Sequence, residues 1–458
     1  MQLCAAVVFA VQAPLLGPRV FGLIAIVWVF ITFCEAMLDT ATESLISVHR
    51  IEHRHYDTMN AVVVLMGGAV GAGLVLTSGA VAAWFGQPAL GAVIRAMAFL
   101  PLLTGLGSSP NAATKRDGEF KPLAVRMIAG VTCGGVAGIA LAVLGAGIWA
   151  LVWQALIQRL VCLAVLWHSS ALRPRVSLSL DHWRHLSVFV WPLLVAKVMA
   201  WATAQLPRFV LALHLTVVDL GLYTMAARLV DIAVSTTAVP RAAVARVALR
   251  RYAVDASKLD VAVAQFIRGM SLLAFPVCFG GSALAPTLIH AWLNPKWFGA
   301  IVPAQVLLLA AGAWVTFYGA GAVFLALGKQ GNEAFMSAVQ TATIAIVAWY
   351  FSSYGLITVA LALAVRPLLL IPLATALVRR NCQVAVRAFL GGQAIPLCAA
   401  AGSSAAVWLI RDRTAALLGN ITGLVVLGVG GLALYALMIH LLAPDTLRQL
   451  LPKARLQA

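Results

Sequence analysis

VFGLIAIVWVFITFCEAMLDTATESLI, residues 20–46, carries only three charged side chains, Glu35, Asp39 and Glu43. About 20 apolar residues at 1.5 Å rise cross the ~30 Å hydrocarbon core of a bilayer, so this stretch is long enough to span it. Thirteen further apolar stretches follow the same pattern, near 2–14, 60–84, 89–110, 122–144, 149–168, 186–206, 219–240, 263–288, 300–326, 335–352, 356–378, 390–410 and 416–441. Composition agrees. Hydrophobic residues make up 62% of the chain and charged ones 10%, with a mean hydropathy of +0.96. A soluble domain carries roughly 25% charged residues. The expected fold is an all-α polytopic membrane protein of about 14 transmembrane helices, with its function inside the bilayer.

Charge sets the expected orientation. The hinges 48–58, 111–121, 169–185, 241–260, 329–334 and 379–388, with the tail from 443, hold twenty of the 32 Lys and Arg residues. The alternate hinges hold five: Arg19, Arg208, Lys296, Arg411 and Arg413. By the positive-inside rule both termini are cytoplasmic, and 85–88, 145–148, 293–299 and 411–415 face the other side. The net charge of +17 is then mainly a topology signal with attraction for anionic lipid headgroups. The basic residues form no compact patch, which argues against nucleic acid. The first stretch, 2–14, is too short to cross and has no basic residue ahead of Arg19, which reads as a shortened start rather than a signal peptide.

Other chemistry is sparse. The seven cysteines contain no CxxC pair and read as small buried apolar residues. The nine histidines lie mostly in hinges or near span ends, and their spacing predicts no metal-ligand cluster. No G-x-x-x-x-G-K-[ST] loop is present, so nucleotide is not the direct energy source, and no cofactor is expected. The segment 241–258, RAAVARVALRRYAVDASK, alternates basic and apolar residues at helical spacing and predicts a surface-lying amphipathic helix.

The chain also repeats itself. WFGQPALGA at 84–92 and WLNPKWFGA at 292–300 share Trp and Gly-Ala at an offset of 208, with a Pro in each hinge, and the same offset carries Gly147-Ile148 onto Gly355-Leu356. FGLIA at 21–25 faces LGLYT at 220–224 at a slightly different offset. The expected organisation is an N-terminal lobe of six helices (1–168), a cytoplasmic linker (169–185) and a C-terminal lobe of six (186–378). An appended helix pair (390–441) and a cytoplasmic tail (442–458) follow. An even number of helices per lobe gives a parallel repeat about an axis along the membrane normal, with substrate between the lobes.

LLGPRVFGL at 15–23, GAGIWALVWQ at 145–154 and DLGLYTMAARLVDI at 219–232 resemble the hinge-to-helix segments of Wzx-type polysaccharide flippases, the colanic-acid-exporter-like branch in particular. These belong to the multidrug/oligosaccharidyl-lipid/polysaccharide exporter superfamily, with the multidrug and toxin extrusion (MATE) antiporters and lipid II flippases. The resemblance implies export of an undecaprenyl-diphosphate-linked oligosaccharide from the cytoplasmic to the periplasmic leaflet of a bacterial inner membrane. It further implies lipid as surroundings, polysaccharide polymerase and chain-length machinery as partners, and a monomeric carrier without enzymatic activity. The clipped first helix departs from the family pattern.

Ionisable residues far from helix ends carry the rest of the reading. Arg159, Lys197 and Arg366 lie roughly 15 Å from either interface, beyond the reach of snorkelling. Each costs about 2.5–3.5 kcal/mol if left facing lipid at the bilayer centre, so each needs a watery cavity or a counter-charge. Facing one cavity at the lobe interface, they would suit a diphosphate; internal ion pairing is the alternative. Arg228 is a weaker candidate because Asp231 sits three residues on along the same face. Arg95, Arg126, Arg208 and Arg268 lie near span ends and are expected to snorkel. Glu35, Asp39 and Glu43 recur at i, i+4, i+8 on one helical face, as a proton or cation site would, or as counter-charges for the cations would. A MATE-type cation-coupled drug antiporter shares the architecture but calls for an acidic cavity.

Overall fold

The computed structural model describes residues 2–48, 51–170, 172–173, 175, 177–250 and 256–443. They form helices α1 (Gln2–Leu16), α2 (Pro18–Ser47), α3 (His53–Trp84), α4 (Pro88–Met97), α5 (Phe99–Arg116), α6 (Phe120–Val143), α7 (Ile148–Ser169) and α8 (Leu180–His214). They continue as α9 (Val217–Arg250), α10 (Ala256–Trp292), α11 (Ile301–Ala326), α12 (Gln330–Phe351), α13 (Leu356–Cys382), α14 (Val386–Leu418) and α15 (Asn420–Leu442). No strand occurs among the described residues. In lipid a helix satisfies its own backbone donors and acceptors, which is why so apolar a chain resolves into helices alone. Among the described residues, twelve spans are long and apolar enough to cross a membrane, α4 and α5 together making one of them, while α1 is too short. The protein is a multi-pass membrane protein.

The stretch expected at 89–110 is broken. Pro101 offers no N–H to the Met97 carbonyl and its ring crowds that carbonyl, so the helix parts at Ala98 into α4 and α5. The hinge expected at 411–415 lies instead at Gly419, whose φ of 76° ends α14, so Arg413 sits in the last turns of that helix. The described part of the predicted surface helix, 241–250, continues α9; residues 251–255 lie outside the described residues, as does the tail from 444.

The offset of 208 marks matching local structure. Trp84 ends α3 and Trp292 ends α10, and a few residues on Pro88 opens α4 and Pro295 opens a short 3-10 helix, Pro295–Ala300. Gly147 and Gly355 stand just ahead of α7 and α13 with φ of 57° and 93°, a backbone that a side chain would strain.

The chain divides into two compact units, Met1–Gly221 and Leu222–Ala458. In the first, α2 is central and packs on α3, α5 and α8, with Leu38, Leu45, Met59, Val63 and Leu186 in the core. The division read from sequence placed the helix of Lys197 in the second lobe; here that helix, α8, begins at Leu180 and packs against α2 and α3. In the second unit α10 packs on α11, α14 and α15, around Val263, Ile267, Val323, Phe324 and Phe389. Buried polar contacts tie its helices: Thr316 Oγ1 donates to Gln393 Oε1 at 3.0 Å, and the Tyr435 hydroxyl to the Leu272 carbonyl at 3.1 Å. Leu76, Leu369, Leu417 and Leu441 stand exposed, as lipid contact requires.

Gly130, Gly134 and Gly138 recur every four residues on the face of α6 that meets α7. Small residues at that spacing let two backbones approach closely in lipid. A Cβ on Gly134 would lie 2.7 Å from the Gln154 carbonyl, and one on Gly138 2.6 Å from the Gln12 side chain, whose Nε2 donates to Gln154 Oε1. Gly134→Val is therefore expected to separate α6 from α7 at a cost of about 1–3 kcal/mol or more. Thermal unfolding of the detergent-purified protein checks this, and an unchanged midpoint would refute the close approach.

Candidate functional site

The acidic ladder of α2 is where the charges gather. Glu35, Asp39 and Glu43 advance by 400° every fourth residue, so they form one stripe about 12 Å long. Two cations that the sequence presented as separate candidates meet this stripe within the first unit. Arg159, midway along α7, donates from Nη2 to Glu35 Oε1, to which Thr104 of α5 also donates at 3.3 Å. Lys197, at the midpoint of α8, lies 3.2 Å from Glu43 Oε1 and 3.9 Å from Asp39 Oδ2. A turn further along α8, Trp201 Nε1 donates to Thr32 Oγ1 at 3.2 Å and packs its ring edge-on to Phe33, so α8 is held in register with α2.

These groups are not sealed in. The Asp39 and Glu43 side chains are 56% and 43% exposed, against 36% for Arg159 and 29% for Lys197. Carboxylates that open at membrane depth need water or a polar ligand in front of them. Sequence reasoning placed Arg126 among the snorkelling residues near span ends. It is partly buried, lies within electrostatic reach of Arg159 and Asp39, and its buried Nε has no acceptor among the described residues. In their charged forms, three cations then balance three carboxylates.

The second unit holds the other two candidates. Arg366 on α13 is 6% exposed; its Nη1 donates to the Gln340 carbonyl of α12 at 2.9 Å and reaches Thr343 Oγ1 at 3.5 Å. Among the described residues it has no carboxylate partner, and its Nε has no acceptor. Arg228 is partly buried on α9, and Asp231 is exposed one turn on.

One constellation was missed. The histidines predicted no ligand cluster, yet the fold brings Glu52, His55 and His182 together, with His185 beside them. The two segments concerned, EHRH at 52–55 and DHWRH at 181–185, were each legible as histidine-rich, but nothing local indicated that they meet.

Ion pairs thus join long apolar helices within the first unit. The structure resembles that of the lipid II flippase MurJ in an inward closed conformation, with a TM-score of 0.76 at 11% identity over 97% of this chain and 98% of that one. It also resembles an inward-facing multidrug resistance MATE family transporter of the MOP superfamily, with a TM-score of 0.66 at 14% identity over 84% and 95%. Residues 11–302 match the family described as polysaccharide biosynthesis protein, and the chain belongs to that family. A curated relative, the succinoglycan biosynthesis transport protein ExoT of Rhizobium meliloti (strain 1021), is 28% identical over 229 residues. That match takes in 48% of this chain and 45% of the relative, so it spans about half of each.

Proposed function

We propose that the protein carries an undecaprenyl-diphosphate-linked oligosaccharide from the cytoplasmic to the periplasmic leaflet of a bacterial inner membrane by alternating access. The observation that carries this reading is the ion-paired cluster on α2, α7 and α8 in a chain of the polysaccharide biosynthesis family. Arg159 and Lys197 hold the diphosphate, with Arg366 and Arg228 as further cations in the second unit. An entering diphosphate competes with Glu35, Asp39 and Glu43 for the same cations. The exchange is favourable only if the displaced carboxylates take up a proton or a metal cation, which would couple substrate binding to an ion. The guanidinium of Arg159 matches phosphate oxygens in bidentate fashion, and Lys197 supplies a point charge.

The test is transport of a fluorescent polyprenyl-diphosphate oligosaccharide into the inner leaflet of proteoliposomes. Asp39→Asn and Glu35→Gln are expected to slow it severalfold at unchanged protein level and to flatten its dependence on an imposed cation gradient. Wild-type rates in both variants would reduce the ladder to a structural counter-charge. A cation-coupled drug antiporter is the second reading, favoured by the greater exposure of Asp39 and Glu43 than of Lys197. Efflux of a cationic dye with no movement of the lipid would select it.

The orientation is a separate expectation. Cysteines placed at Gln87 and Arg413 are expected to react with an impermeant thiol reagent in intact cells, and one at Lys115 is not. The reverse pattern would place the termini outside.

A further inference from the structure

We propose that Glu52, His55 and His182 form a binding site for a divalent transition metal of the zinc class, clamping the start of α3 to the start of α8. One ligand atom from each lies within 4.8 Å of those of the other two. Glu52 Oε2 and His182 Nε2 are 3.5 Å apart. Ligands at 2.0–2.1 Å around a tetrahedral ion stand roughly 3.3 Å from one another, so this edge already has its final length. The remaining edges, at most 4.8 Å, shorten by up to about 1.5 Å, and His55 gives up one present contact, Nδ1 with the Glu52 amide or Nε2 with His185, to offer a lone pair to the ion.

Local structure accounts for only half of the cluster. Glu52 and His55 are the reciprocal cap of α3: the Glu52 side chain accepts from the His55 amide, and the Glu52 amide donates to His55 Nδ1 at 3.1 Å. A cap needs no third member. Yet His182 arrives from the first turn of α8 and sets its ring edge-on to His55 with centroids 4.6 Å apart, while His185 Nδ1 lies 3.1 Å from His55 Nε2. Three imidazoles thus crowd one carboxylate, and charging them all by protonation would set like charges side by side. A single dication is satisfied by neutral imidazoles and the carboxylate together.

The outer contacts favour the same occupant. Ser179 Oγ lies 2.7 Å from His182 Nδ1, and with Nδ1–H donating to that hydroxyl the lone pair of Nε2 is available to a metal. Two nitrogen donors with one carboxylate select zinc, cobalt, nickel or copper over magnesium and calcium, which prefer oxygen. Glu52 is 72% exposed, so the position has an open approach, and a fourth ligand can be water or His185.

The experiment uses the full chain, purified in detergent with a histidine-free affinity tag, stripped with chelator and titrated with Zn²⁺ against a chromophoric competitor. One ion per chain is expected. His55→Ala and His182→Ala are expected to weaken binding by more than the roughly 10–100-fold that loss of an outer-shell partner costs, and Ser179→Ala by about that range. Zn²⁺ should also raise the unfolding midpoint of the wild type and not of His182→Ala. His214→Ala, outside the cluster, is expected to bind as the wild type does and reports on non-specific metal. Because a histidine variant could fail to fold, each is first checked for the wild-type helical content and elution volume. A wild type that binds no Zn²⁺, or that binds it no more tightly than a folded His182→Ala, overturns the site.

Discussion

Glu35→Ala is expected to destabilise the protein more than the double replacement Glu35→Ala/Arg159→Ala does. The single change leaves a guanidinium midway along α7 with no carboxylate partner, whereas the double change removes both charges. Breaking a fully buried pair from one side costs about 3–5 kcal/mol; the 36% exposure of Arg159 lets water recover part of that, so a loss nearer 2 kcal/mol is expected. Thermal unfolding in detergent with both single variants and the double gives the coupling directly. Additive losses would mean that the pair contributes little. Transport separates this role from the substrate role. Arg159→Ala and the double variant should both lose export, because in each the proposed diphosphate site loses its guanidinium, even though the double variant folds better than Glu35→Ala. Export restored in the double variant would show that Arg159 serves only to neutralise Glu35.

The second large effect concerns Arg366. Its Nη1 joins α13 to the Gln340 carbonyl of α12, while its Nε has no acceptor among the described residues. A buried cation with a spare donor and no carboxylate is costly to keep, which is the reason to expect an anion there at some stage of the transport cycle. Arg366→Ala is expected to lower export at least tenfold at normal membrane abundance. Arg366→Lys should recover only part, since a point charge cannot copy the planar fork. If abundance falls in step with export in both variants, Arg366 is a tie between α12 and α13 and nothing more.

Much of this was legible because lipid makes the helical pattern nearly obligatory. The three-carboxylate stripe on α2 follows from 3.6 residues per turn, and the hinge glycines Gly147 and Gly355 could be matched by offset alone. What the sequence did not disclose is partnership across helices. Glu35 and Arg159 are 124 residues apart, and Glu43 and Lys197 are 154 apart, so no local rule links them. Pairing of the ladder with the cations stood as one of two readings without named partners, and the fold of the first unit brings Arg159 to Glu35 and Lys197 to Glu43. Arg126 was misread because distance from a helix end says nothing about which way a side chain faces. The earlier start of α8 did carry a signal: Asp181 in its first turn, preceded by Ser179, is a helix-opening pattern. The break at Ala98 was likewise written in Pro101. The histidine cluster was not, since it needs the first turns of α3 and α8 to meet.

The balance of charge in the α2 cluster has a consequence for voltage. With Glu35, Asp39 and Glu43 set against Arg159, Lys197 and Arg126, the empty cluster sums to zero and can move through the membrane field at no electrical cost. One elementary charge crossing 100 mV is worth about 2.3 kcal/mol. A diphosphate that enters without neutralising the carboxylates brings about two negative charges, and a potential negative inside drives them outward. If each phosphate charge is matched by a proton taken up on the ladder, the loaded cluster is neutral again and indifferent to voltage. Under the proposed function, the steepness of export with membrane potential therefore reports how much of the diphosphate's charge is offset by protons or metal cations taken up with each lipid.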